Sequence, residues 1–161
     1  MKLKFSIIFV LLFSCIAYAQ QSDKEIKLAP NAPVDNPKQI TKSQTQKLED
    51  AIKPYVENAR KTYPQAKERY LKGLPANETF FVTAVLHDVM GKSEQVFVAV
   101  REIKNGKIKG LIASDIQLVS GFKLGDFYVL PESEILDWII SKPDGTEEGN
   151  FVGKFLDIYE P

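Results

Sequence analysis

The 161-residue chain has one cysteine, one histidine and one tryptophan. A lone cysteine excludes a disulfide framework within the chain and a cysteine-built zinc site. A lone histidine excludes a multi-histidine metal centre within one chain. Net charge is missing too, because 21 Lys+Arg face 21 Asp+Glu. A nucleic-acid module needs a basic surplus or stripe to meet phosphates, so no nucleic-acid partner is expected. The chain has no P-loop, no dinucleotide glycine fingerprint, no G-x-S-x-G and no EF-hand-like loop. No cofactor and no metal follow from what remains. Hydrophobic residues make up 44% and charged residues 26%, the mix of an ordinary globular protein, and the length suits one domain.

The one long apolar run lies at the start. Lys2 and Lys4 precede Phe5 to Ala17, which carries no charge, and Ala17-Tyr18-Ala19 offers small residues at both positions a signal peptidase reads. The pattern predicts a bacterial-type signal peptide at 1–19 with cleavage between Ala19 and Gln20, and a periplasmic or secreted product. The run is too short for a comfortable membrane span, and no later segment approaches the length needed, so no transmembrane segment is expected in the mature chain. Cleavage removes two lysines and no acid, which leaves a net charge of −2. Leu12-Phe13-Ser14-Cys15 supports an alternative, a lipoprotein anchored at Cys15. Under the first reading Cys15 is discarded and the mature protein has no thiol chemistry.

Residues 20–43 contain Pro30, Pro33 and Pro37 among polar residues, and their few large apolars show no sustained period. They read as a flexible linker. A single domain is expected over 44–161. Leu48, Ile52, Tyr55, Ala59, Tyr63, Ala66 and Tyr70 recur at steps of three and four, which is one face of a helix. Ser43 and Thr45 are candidate N-caps. Pro54 and Pro64 each remove a backbone donor, so the expectation is a kinked helix over 44–62 and a short one over 65–72. The tyrosines at helical spacing read as a packing face.

Strands follow. Thr79 to His87 and Val96 to Ile103 are almost continuously apolar and rich in β-branched and aromatic residues, as central strands are. Asn105-Gly106 marks a hairpin into Lys107 to Ala113. Phe127 to Leu130 and Ile135 to Ile140 complete the set, with a turn at Pro131-Glu132 between them. Asn150 is read as the cap of a last helical turn in which Phe151, Phe155 and Ile158 share a face, with a short strand as the alternative. The fold class is therefore α+β, a largely antiparallel sheet of about five strands with the N-terminal kinked helix packed on one face.

Candidate chemistry is sparse. His87, at a strand end, is a candidate for acid–base work. Asp137 lies in Ile135-Leu136-Asp137-Trp138-Ile139-Ile140, where strict alternation places it with Ile135 and Ile139, and Trp138 on the other face. A carboxylate between isoleucines must be hydrogen-bonded if buried. It reads either as a pocket acid or as a structural carboxylate that holds backbone N–H groups of a neighbouring turn, and the structural reading leads. Asp137 and Trp138 are the candidate binding residues, and Trp138 is, more simply, a core one.

Several segments together resemble a known family. They are Phe80-Phe81-Val82-Thr83, Glu94-x-Val96-Phe97-Val98-x-Val100, Gly110-Leu111-Ile112, Lys123-Leu124-Gly125-Asp126, Ile135-x-Asp137-Trp138 and Gly149-Asn150-Phe151, with Ala59-Arg60 and Tyr63 in the helix before them. In this order they are similar to the uncharacterised YegJ-like family, a domain of unknown function numbered 2314, over about residues 48–159. The resemblance implies no activity and no catalytic residue. Some related domains accompany toxin systems, which implies a binding or immunity-like role with another protein. Two functional readings follow. One is a non-enzymatic binding module that acts through an exposed sheet face or edge. The other is a small hydrolase using Asp137 with His87 or another acid, which requires those groups to converge in one pocket.

Overall fold

The computed structural model describes Pro33 and residues 42–159. The candidate leader at 1–19, with Cys15, and the remainder of 20–41 lie outside the described residues. Helix α1 spans Lys42–Lys72. Six strands follow: β1 Thr79–His87, β2 Ser93–Lys104, β3 Lys107–Ile112, β4 Phe127–Pro131, β5 Asp137–Ser141 and β6 Glu147–Gly149. A single 3₁₀ turn at Glu132–Glu134 joins β4 to β5, and helix α2 spans Phe151–Ile158. The strands form one antiparallel sheet in the order β4-β3-β2-β1-β5-β6. The fold is α+β, with six described strands rather than about five. The additional strand is Glu-Glu-Gly, which carries no hydrophobic alternation and pairs by register with Ile139 to Ser141.

The core lies between the sheet and α1. Ala59, Tyr63 and Ala66, at helical spacing, are buried against Phe80, Val82, Val98, Val100, Trp138 and Ile140. Burying each large side chain of this kind contributes about 1.5–3 kcal/mol. Tyr70 and Tyr63 pack on the Phe80 ring, at centroid distances of 5.3 and 6.4 Å. The link from β4 to β5 crosses the sheet on this same side. Ile135 is buried in the α1-side core, and Arg60 Nε donates to its carbonyl at 3.1 Å.

Four local expectations are corrected. The helix does not break between 62 and 65 but runs unbroken through Pro54 and Pro64. Propensity loses to packing here, because the turn before Pro64 is tied from outside. Trp138 Nε1 donates to the Ala59 carbonyl at 3.1 Å, and the Thr62 hydroxyl donates to that of Asn58 at 2.8 Å. Ser43 and Thr45 lie inside the helix, which begins at Lys42, rather than before it. Asn150 does precede α2, but with φ 54° and no capping hydrogen bond from its side chain. Its amide donates to Glu147 Oε2 at 2.6 Å instead. Ile135 does not share a face with Asp137, because β5 begins at Asp137 and strand alternation does not extend back to 135.

Candidate functional site

Asp137 opens β5 opposite Thr83 of β1 and is fully buried. Its Oδ1 accepts the Trp138 N–H at 2.8 Å and its Oδ2 accepts the Val152 N–H at 2.6 Å. The carboxylate thus stands where an N-cap side chain would, at the start of α2, and takes over the task Asn150 leaves undone. Burial pushes its pKa up to about 6, although the N–H groups of Val152, Trp138 and Phe151 and the charge of Lys154 pull the other way. Trp138 faces α1. Its indole N–H is shared between the Ala59 carbonyl and Thr62 Oγ1 at 3.0 Å, and its ring meets Phe151 edge-on at 6.0 Å. Adjacent in sequence, the two residues point to opposite faces. Together they join β5 to both helices.

His87 ends β1, exposed, with Nδ1 2.8 Å from Ser93 Oγ. It stands four residues along β1 from Thr83, the partner of Asp137. At about 3.3 Å per residue that is about 13 Å along the strand. The structure therefore does not bring His87 and Asp137 together. Cys15 lies outside the described residues.

Two further carboxylates, Glu94 and Asp88, hold the long 113–126 loop. Glu94 accepts N–H bonds from Gln117, Leu118 and Val119 at 2.7–3.0 Å. Burial pushes its pKa up, but the three N–H groups outweigh burial and the net shift is downward. Asp88 accepts from Met90, Lys92 and Ser120. A shallow cleft of ≈ 440 Å³ opens between the end of α1 and β2, lined by Tyr70, Glu78 and Arg101 among others. Glu78 Oε2 beside it is buried without a hydrogen-bond partner. Among the described residues no group of three or more His, Cys, Asp or Glu could hold a metal ion, and no helix is long and apolar enough to cross a membrane.

Among the described residues the most exposed large aromatic side chain, Phe127, lies at the margin of the sheet. β4 is the terminal strand on one side, with β3 as its sole neighbour among the described strands. Glu132 N–H donates to the Gly106 carbonyl and Ile112 N–H to that of Asp126. Even-numbered positions of β4 thus turn their backbone groups to β3, and odd-numbered ones turn theirs outward. Phe127 and Val129 are the odd positions with an N–H, and their side chains are 68% and 51% exposed. Lys109 Nζ sits 4.9 Å from the centre of the Phe127 ring. Register places Lys104, Lys107 and Lys109 on the same face, all exposed. The sequence showed β4 as a strand. Strand order, which decides that it is an edge, is not a local property of the chain.

Comparison with curated proteins and with solved structures gives no match. A family model described as uncharacterized protein conserved in bacteria, DUF2314, matches residues 46–156, which takes in most of α1, the whole sheet and most of α2. The narrower YegJ-like label is not part of that match. The segments that carry the likeness have structural tasks here: Glu94 anchors a loop, Asp137 holds the start of α2, and Trp138 ties α1 to the sheet. The chain belongs to the DUF2314 family of uncharacterized bacterial proteins.

Proposed function

We propose that the protein is an exported, non-enzymatic binding module that receives an extended segment of a partner protein along β4. The observation that carries this reading is the β4 margin itself, with outward backbone groups and exposed Phe127 and Val129 on one strand. Natural proteins usually blunt such an edge, because it templates pairing with another chain. Strand addition supplies affinity through main-chain hydrogen bonds and specificity through alternate side chains. Three lysines beside the strand against one acid, Glu102, favour a segment with apolar residues at alternate positions and acidic residues between them. Export rests on the n-region, apolar run and A-x-A site, with Cys15 lipidation as the alternative form.

The hydrolase alternative has less support. Asp137 has no exposed surface and its oxygens are engaged by backbone N–H groups, and His87 stands apart from it. The test is selection of displayed peptides on the full chain, followed by rebinding to Val129→Pro. That substitution removes an outward N–H and leaves the bonds to β3 intact. The expected result is enrichment of extended apolar-acidic peptides whose affinity falls about tenfold or more on Val129→Pro, the loss of one or two interface hydrogen bonds. Peptides that bind both proteins equally would contradict the reading.

A further inference from the structure

The cleft between the end of α1 and β2 has a cause in the sheet. β1 and β2 pair from His87–Ser93 to Phe81–Ala99, and beyond that point they part. Thr79 and Phe80 continue beside β5, while β2 carries an extra residue. Val100 pairs with Gly110 and Glu102 with Lys109, so Arg101 is a β-bulge. A bulge re-aims side chains, because strand alternation slips by one residue. Val96, Val98 and Val100 belong to the α1-side core, and after the bulge Ile103 packs on that core too. Arg101 consequently lines the cleft beside Val100 instead of following Phe97 and Ala99 to the other face.

Glu78 lines the same cleft from the start of β1. The Gly73 N–H donates to the Tyr70 carbonyl at the end of α1, and the Glu78 N–H donates to that of Pro75 in the turn that follows. The Glu78 side chain is half-buried, and its Oε2 is buried with no hydrogen-bond partner. A carboxylate oxygen shut off from water without a donor is costly. The charge of Glu78 reaches Arg69 and Lys142, but both of these pair with Glu148. Arg101 is exposed, and among the described residues its guanidinium makes no hydrogen bond or ion pair. Counting on from Phe81–Ala99 puts Thr79 beside Arg101, with Glu78 next in the chain. The backbones that carry the two charges thus lie on the order of 5–10 Å apart. Tyr70, Leu74, Phe80 and Val100 supply the rest of the wall. Burial pushes the pKa of the Tyr70 hydroxyl up and the Arg101 charge pulls the other way, which sets the guanidinium near that hydroxyl.

We infer that this cleft is a binding site for a free apolar α-amino acid. The ligand's ammonium supplies the donor that Glu78 lacks, once the half-buried side chain turns about its last bonds. Its carboxylate takes the forked donors of Arg101, with the Tyr70 hydroxyl beside them. Its side chain lies on Leu74, Phe80 and Val100. A simple anion would leave Glu78 unmatched, and a simple amine would leave Arg101 so. The cleft volume of ≈ 440 Å³ falls in the range of small-ligand sites. The site is separate from the β4 margin, since β3 stands between β4 and β2.

The test titrates the full chain with L-phenylalanine and follows amide chemical shifts. Phenethylamine is the same ligand without its carboxylate, and hydrocinnamate is the same ligand without its ammonium. The expected result is saturable shifts at the Glu78, Phe80 and Arg101 amides, with affinity about tenfold or more above that of either control. Glu78→Gln and Arg101→Gln should each lower that affinity about tenfold, with the rest of the spectrum still that of the folded wild type. Arg101→Lys keeps the charge but not the fork, and should fall between Arg101→Gln and the wild type. Absence of a saturable shift at these amides would overturn the inference. Equal binding of phenethylamine or hydrocinnamate would overturn it as well, by making the cleft a plain cation or anion site. So would undiminished binding by either glutamine variant.

Discussion

At Asp137 two opposing effects meet on one side chain. Burial disfavours its charge, and backbone N–H groups favour it, with burial ahead and a pKa of about 6 in place of 3.8. A folded pKa above the unfolded one means that the group's contribution to stability is complete below about pH 3.8 and is lost as pH rises through about 6. At 1.36 kcal/mol per unit the loss is about 3 kcal/mol. Asp137→Asn does not titrate, so the advantage of the wild type over this variant should shrink by up to that amount between pH 4 and pH 7. Urea melts of both proteins across this range check it. A constant gap, or one that widens as pH rises, would show that the N–H groups win. The residue was legible in the sequence as a carboxylate between isoleucines. Its main partner was not, because the Val152 N–H arrives from 15 residues away through a hairpin and a helix start. Glu94 escaped notice for the same reason, since its three donors lie 23 to 25 residues ahead.

At the scale of elements, β5 and α1 depend on each other. Trp138→Phe keeps the ring but removes the donor to Ala59 and Thr62, and should cost about 1–2 kcal/mol in a thermal or urea melt. No measurable loss would mean that α1 crosses Pro64 without this tie. Gly110 and Gly149 are set by close approach of a backbone carbonyl rather than by turn chemistry alone. A Cβ on Gly110 would meet the Ala99 carbonyl and lie 2.6 Å from Val98 Cγ1, and one on Gly149 would meet the Trp138 carbonyl at a φ of 75°. Gly149→Ala should therefore destabilise by about 3 kcal/mol or more. Gly121→Ala, at φ 86° but with nothing within 4 Å, should cost only about 1 kcal/mol. Equal melting of the two variants would contradict the packing at Trp138. Apolar runs made β1 to β5 legible from sequence alone, with β1 at the same bounds. The helix was legible by period and misjudged at its prolines, because the donor that ties it comes from a residue 79 positions away. β6 had no hydrophobic signal, only a partner.

At the scale of the whole molecule, one sheet serves two purposes. Among the described residues the α1 side is packed, and β4 combines outward backbone groups with exposed Phe127 and Val129. Export is tested by the mass of the protein recovered from a bacterial envelope fraction. The sequence predicts a chain beginning at Gln20, and a diacylated Cys15 start would establish the lipoprotein form instead. Parity within Ile135 to Ile140 put Asp137 and Trp138 on opposite faces, and failed at Ile135, which precedes the strand. Which strand ends the sheet was not legible, since it follows from the crossover between β4 and β5. The most direct test of the binding reading is amide hydrogen exchange, residue by residue, with and without a selected apolar-acidic peptide. The account predicts that the Phe127 and Val129 N–H groups gain protection together on binding, while Leu130 and Tyr128, already bonded to β3, change little. Protection that appears elsewhere, with Phe127 and Val129 still exchanging freely in the complex, would contradict it.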